Sequence, residues 1–402
     1  MMAWELLGDP RLLLHALGWA LVISFVVGLG VGAVLWALLR IAPRRSAWAR
    51  YALTCSALVL MAGTLVQSWS GVSGAYRGHE ATVAHYALHL MEMGSPNPTG
   101  ELPGGWHAAE LDAAIEVMHD HDIVPWLDGR SAIGLGSLLA VLAVGWLVGV
   151  VWRLAALGHA LLNVRRLRAR AHSGVHPRWH QSLHRVRSRM GVHMSPELAI
   201  SEDIDGPVLV GWLRPAILLP PEPHDQLADT EVDAVLAHEL AHVRRGDYLV
   251  NVVQMAVEAL LFHHPVVYWM GERIRDEREY CSDDAARRAM PGALSSYLRA
   301  LVTLEALRVE PVPQPAMGVN GRSLLDRIKR LVALEGRPRP RWDVDLVLVV
   351  AGLMLVWLPT LGTSALVPPA VSAVMKHELV IPTDFESLAE RGFEHVMKGS
   401  DR

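Results

Sequence analysis

His238-Glu239-Leu240-Ala241-His242 lies in a stretch whose apolar residues, Val232, Val235, Leu236, Leu240 and Val243, recur at helical spacing. Upstream, Asp229-Thr230-Glu231-Val232-Asp233 offers an N-cap and an acidic first turn. Downstream, Arg244 and Arg245 suit the negative end of a helix dipole, and Gly246-Asp247 marks a stop. The motif is therefore predicted on an amphipathic helix. Residues four apart share a helix face, so both imidazoles can reach one ion at about 2.0–2.1 Å, with the Glu239 carboxylate beside them. Two histidines and an adjacent glutamate in this order are the minimum set for zinc-dependent hydrolysis. The competing reading is a surface helix with two hydrated histidines.

A catalytic zinc takes three protein ligands and keeps one position open, so another His, Asp or Glu is required. Pro265 is a good first helical residue, and in the run that follows it Glu272, Asp276, Glu279 and Asp283 fall along one helix face. Four acids in a row need cations opposite, either a metal or the solvated arginines Arg273, Arg275, Arg278, Arg287 and Arg288. Cys281 is turned away from Glu279 on that helix and is read as a core thiol rather than a ligand. Cys55 and Cys281 are not expected to form a disulfide.

The runs HELAHVRRGDYLVN, FHHPVVYW and REYCSDDAA resemble the catalytic core of the BlaR/MecR-type integral-membrane metallopeptidases, relatives of the CAAX-processing zinc proteases. The stretch GPVLVGWLRPAILLP, residues 206–220, resembles the strand pair that precedes the motif helix in that family. The likeness runs from about 160 to 365. It implies a gluzincin-like zinc site with His238, His242 and Glu279 as ligands. Asp283 then orients a ligand histidine, and Glu239 is the general base that moves a proton from water to the leaving amine. The oxyanion donor stays open among Tyr280, His263, His264 and nearby arginines. The family's antibiotic receptors carry a penicillin-binding domain after their fourth span. Only some 35 residues follow here, without an SxxK run, so direct beta-lactam sensing is not expected.

The chain is 51% hydrophobic and 19% charged over 402 residues, too apolar for an ordinary soluble protein. Apolar runs at about 12–39, 51–69, 132–163 and 344–367 have membrane-spanning length. The first lacks a basic leader and is read as a permanent anchor. Arg40, Arg44, Arg45 and Arg50, the arginines at 165–170, and Arg337, Arg339 and Arg341 mark the cytoplasmic ends. The 71–131 loop is acid-rich and expected outside. Its histidines His85, His89, His119 and His121 are read as solvent-facing. A tail at 368–402, with one helix at 384–397, is expected outside too. Tyr248–Met270 is also apolar, but a span there would put His238 and Glu279 on opposite sides of the bilayer. It is therefore expected to pack within the zinc domain or dip into the membrane face, with Asn251, Gln254 and Glu258 as a polar stripe.

The predicted fold is thus an α-helical membrane protein of the inner (cytoplasmic) membrane, with four transmembrane helices and an inserted α+β zinc-metallopeptidase domain at 164–343 facing the cytoplasm. PELAI, PVLVG and PAILLP predict a small sheet, either purely structural or able to take an extended substrate at its edge. The expected function is zinc-dependent cleavage of a protein substrate, as in the resembled family a transcriptional repressor. The partners are that substrate and the lipid bilayer. A quality-control or processing protease and a non-catalytic zinc-containing signalling scaffold are the rivals. The net charge of −4 and the lack of a reader motif give no expectation of direct nucleic-acid binding.

Overall fold

The computed structural model of the chain describes residues 10–42, 46–92, 101–102, 106–107, 135–221, 227–306 and 320–335. The expected fourth span, the tail helix, His119 and His121 lie outside the described residues. The architecture is mostly helical with a small sheet. Among the described residues three helices are long and apolar enough to cross a membrane: Leu13–Ile41, Ala47–Gly74 and Ser137–Arg170. They belong to α1 (Pro10–Ile41), α2 (Ala47–Glu92) and α3 (Leu135–Arg170). A two-residue ladder pairs β1 (Glu101–Leu102) with β2 (Trp106–His107).

The second helix does not stop where its apolar run stops. It continues to Glu92 and carries His85 and His89, because residues 70–92 contain no proline to end it. The third likewise continues past its apolar run to Arg170.

By packing, the chain forms two units. In the first, which among the described residues holds 10–27, 63–92, 101–102, 106–107 and 135–147, Ala16 and Val72 pack with Trp19, Ile23 and Trp69. In the second, which holds 28–62 and 148–335, the core is built on a three-stranded sheet. Its strands are β3 (Glu197–Ile200), β4 (Val208–Val210) and β5 (Ala216–Leu219) in the order β3-β5-β4. The central β5 runs parallel to β3 and antiparallel to β4, and all four of its residues are buried. Side chains alternate between faces. Leu198, Ile200, Ile217 and Leu219 join the main core with α4 (Pro177–Met190) and α5 (Asp229–Arg245), whereas Ala199, Val210, Ala216 and Leu218 meet Val164 and Leu167 of α3 and Ala171 just after it.

The motif helix is α5. Its N-cap is Ala228, one residue before the position expected; alanine offers no side-chain acceptor to the first turn, and the Glu231 carboxylate accepts from the Ala228 N–H at 3.0 Å. Val232, Val235, Leu236 and Leu240 are buried as the periodicity requires. At its end Gly246 adopts φ 67°, a left-handed conformation that costs glycine little, and its N–H bonds the His242 and Val243 carbonyls. The same residue caps α6 (Asp247–Leu260), so the chain reverses within one residue and brings Asp247 back beneath His242.

Tyr248–Met270 is not one long helix. It breaks at Leu261–His264, between α6 and α7 (Pro265–Ala289), because Pro265 cannot continue a helix and opens the next one instead. The polar stripe faces α7. The Arg278 guanidinium donates to Asn251 at 2.8 Å and Gln254 at 2.9 Å, while Gln254 donates to Glu258 at 2.8 Å and to the Gly271 carbonyl at 3.2 Å. The turn between the two helices is wedged against the long apolar helices. A side chain at Gly28 would strike His264 and Met61, one at Gly32 would strike Val266, and one at Gly149 would strike Phe262. On α3, Arg153 donates to the Tyr268 hydroxyl at 3.0 Å. Where α2 begins, buried Arg50 pairs with buried Glu277 of α7 at 2.6 Å and donates to the Leu39 carbonyl at 2.7 Å. The unit closes with α8 (Leu294–Ala306) and α9 (Asn320–Ala333).

Candidate metal centre

α5 and α7 cross so that His238, His242 and Glu279 converge, each offering one ligand atom within 4.8 Å of the others. Four donors around a tetrahedral zinc at about 2.0–2.1 Å stand about 3.3 Å apart. Here His238 Nε2 and His242 Nε2 are 3.2 Å apart, and Glu279 Oε2 and Oε1 are 3.3 and 3.7 Å from them respectively. The donor set, two imidazoles and a carboxylate, and its spacing fit that ion. Of the four acids on the α7 face, Glu279 alone joins this group among the described residues.

Each imidazole is held by its other nitrogen. His242 Nδ1 lies 2.6 Å from Asp247 Oδ2. His238 Nδ1 lies 2.9 Å from the Tyr297 hydroxyl of α8 and 3.4 Å from Asp283 Oδ1, while Tyr297 itself donates to Asp283 at 2.5 Å. Both Nε2 atoms are thereby turned to the shared point, the arrangement that fixes the ring and raises its basicity. Asp283 thus reaches His238 largely through Tyr297.

Arg327 of α9 closes the cluster. It grips Asp283 with two bonds, at 2.7 and 3.0 Å, and approaches Glu279 Oε2 at 3.3 Å. Asp283 is fully buried; burial alone would raise its carboxyl, but the Arg327 charge and the His238 bond hold it down at about 2. Burial pushes Glu279 up as well, yet the His238 bond and the His242 and Arg327 charges keep it well below the usual carboxylate range. For His238, burial disfavours the charged ring, and bonds to Asp283 and Glu279 outweigh it and raise the imidazole to about 9. The pocket is therefore built to hold positive charge between carboxylates, which a divalent cation supplies.

Glu239 is buried and accepts no hydrogen bond from any described residue. Burial raises its carboxyl above the ordinary value, only partly countered by the His238 and His242 charges. A buried carboxylate beside the cluster, its proton affinity raised by that burial, is suited to taking a proton.

Four residues of this arrangement escaped the sequence reading. Asp247 had been read only as the end of α5; its place five residues beyond His242, after a glycine, was the available signal. Tyr297 and Arg327 come from helices with no local mark of a site. Ser282, beside His242 at 3.2 Å, sits under an Arg245 that also grips Asp247. Of the residues left open as oxyanion donors, Tyr280 stacks under Arg330 at 5.0 Å and His264 abuts Gly28 of α1, so neither joins the cluster. Cys281 is buried and its thiol pushed up to about 12 by that burial, a core residue.

Replacing Tyr297 by Phe removes the hydroxyl between His238 and Asp283 while keeping the ring. Zinc affinity is expected to fall about 10–100-fold, as for other groups that orient a ligand, in a competition titration against a chromogenic chelator. Unchanged affinity with altered unfolding alone would reduce Tyr297 to a packing role.

Residues 107–331 match the family described as BlaR1 peptidase M56. Regulatory protein BlaR1 of Bacillus licheniformis is 26% identical over 145 residues, 36% of this chain and 24% of that protein. The methicillin resistance mecR1 proteins of Staphylococcus aureus and Staphylococcus epidermidis are 20% identical over 172 residues, 41% of this chain and 29% of theirs. The matched stretch thus spans about a quarter of the length of these relatives.

Proposed function

The chain belongs to the BlaR1 peptidase M56 family, and from that membership we propose that it is a membrane-anchored zinc metalloendopeptidase that cuts a protein on the cytoplasmic side in signal-regulated proteolysis. The observation that carries the reading is the convergence of His238, His242 and Glu279 at tetrahedral spacing beside the buried Glu239. A structural zinc is usually held by four protein ligands, and three with an adjacent glutamate favour the enzyme over the scaffold.

His238, His242 and Glu279 would hold the ion. Bound there, zinc would supply a Lewis acid that polarises the scissile carbonyl and acidifies water. Glu239 takes the proton of the attacking water and delivers it to the departing amine. Asp247 and the Tyr297–Asp283 pair keep the two imidazoles in the tautomer that presents Nε2, and Arg327 keeps Asp283 and Glu279 ionised. β4 has an open edge among the described residues; a substrate added there as a strand would present its backbone in extended form.

The proposed topology has four spans, the fourth at 344–367. The zinc domain at 164–343 faces the cytoplasm, as the arginines at 40–50 and 165–170 favour. The 71–131 loop and the tail at 368–402 lie outside. The substrate proposed is a cytoplasmic transcriptional repressor, since the similar proteins are named for regulation and resistance. Purified in liposomes, the wild type is expected to hold stoichiometric zinc and to cut a repressor from the native cytoplasm at one site, whereas Glu279→Ala loses both properties. Retention of zinc by Glu279→Ala would overturn the ligand set, and cleavage of many unfolded proteins without preference would favour quality control.

A further inference from the structure

The sheet is tied to the end of α3 in a way that orients it. Arg168 donates to the Arg214 carbonyl at 2.6 Å and to Glu197 at 3.3 Å, so the loop between β4 and β5 and the start of β3 lie level with residue 168. His172 pairs with Ile200, so the far end of β3 lies level with residue 172. Moving along α3 from 172 to 168 is moving back towards its apolar segment. The loop Gly211-Trp212-Leu213-Arg214-Pro215 is therefore the end of the sheet nearest the membrane. From Leu162, the last residue of the apolar run, to Arg168 is six residues, about 9 Å of helix. At about 9 Å, Arg168 stands just past a headgroup layer about 5–7 Å deep on each side of the hydrocarbon, and the loop that starts at its level turns back towards that layer.

The composition of that end matches its position. Leu213 is 72% exposed and Trp212 54%, two large apolar side chains at the tip of a hairpin in water otherwise. Met194, just ahead of β3, is 46% exposed at the same end. Around them are exposed Arg165, Arg166 and Arg214 with Arg168, against the single acid Glu197, which Arg168 already engages. A cleft of about 340 Å³ between α3 and the sheet is lined by Arg165, Arg168 and Glu197. Tryptophan and arginine at such a depth are the residues of a membrane–water interface, ring among the acyl ends and guanidinium at the phosphates.

We propose that the 211–215 loop is an interfacial anchor that inserts Trp212 and Leu213 into the headgroup region of the bilayer and binds anionic phospholipid through Arg165, Arg166 and Arg214. The proposal rests on α3 being a membrane span. Its consequence is a metal domain held at two points, the span and the loop, so that the sheet cannot swing away from the bilayer.

The test is depth measurement on the full chain in vesicles of phosphatidylethanolamine with and without phosphatidylglycerol. Cys55 and Cys281 are replaced by alanine, and an environment-sensitive fluorophore is placed singly at Leu213→Cys, Val208→Cys or Val148→Cys. Val208 is exposed at the opposite end of the sheet, and Val148 is exposed on the apolar part of α3. With phosphatidylglycerol present, the label at 213 should be quenched by lipids carrying a nitroxide near the top of the chain and be several-fold less quenched by aqueous iodide than the label at 208. Quenching at 148 by lipid reports the span independently. If 148 is quenched by lipid while 213 is as open to iodide as 208, the loop proposal fails and the span stands; if 148 is also open, the span itself fails. Shielding at 213 that appears only at high protein-to-lipid ratio, or only on adding substrate, would overturn the lipid in favour of a second copy or the substrate.

Discussion

Glu239→Gln is expected to leave zinc content unchanged and to cut turnover by about 10²–10⁴-fold, the range for loss of a positioned proton carrier. The amide is isosteric and can still occupy the buried site beside His238, but it cannot accept a proton from water. Because Glu239 makes no hydrogen bond to described residues, the change removes no internal contact, and unfolding by denaturant should shift little. Metal analysis and single-turnover cleavage on the same sample separate the two readouts. Loss of zinc in this variant would make Glu239 a ligand and overturn the role assigned to it; unchanged turnover would return the chain to the signalling-scaffold reading.

Arg327→Leu is expected to destabilise the second unit by about 3–5 kcal/mol, the cost of stripping one partner from a buried ion pair. Asp283 has no exposure of its own, and its two bonds from Arg327 would be left unmade. Glu279 would lose a cation too, although it keeps about a third of its side chain exposed and can be hydrated there. The double replacement Arg327→Leu with Asp283→Asn should recover part of the loss, since no bare charge then remains. Denaturant unfolding of the single and double variants in detergent measures both quantities. Equal losses in the two would show that packing of α9, not the charge on Asp283, sets the effect.

These two variants also mark where sequence reading succeeds and stops. Glu239 could be found because its partners are one and three residues away, on a helix whose apolar spacing is visible. The three long apolar helices were visible for the same reason, as runs of local composition. Arg327 lies 44 residues from Asp283, and nothing in either neighbourhood states that they meet; only the packing of α9 on α7 joins them. Tyr297 is similar. Asp247 is intermediate, since its place after Gly246 was visible but the left-handed turn that folds it under His242 was not. The apolar pattern of the second run ends near Trp69, whereas α2, meeting no proline, continues to Glu92. Tyr248–Met270 was kept out of the bilayer as a span by the need to bring His238 and Glu279 together, and Pro265 then supplies the break.

The glycine notches carry a consequence for biosynthesis. Gly28, Gly32 and Gly149 precede Phe262, His264 and Val266 in the chain, and a ribosome releases the N-terminal segments first. The surfaces that receive the α6–α7 turn are therefore made before the turn itself leaves the exit tunnel. α7 carries Glu279 fourteen residues beyond Pro265, so the third member of the metal cluster is delivered by the helix whose start is seated in those notches. A nascent chain holds His238 and His242 without Glu279, and the candidate metal cluster is completed only once synthesis has passed the α6–α7 turn.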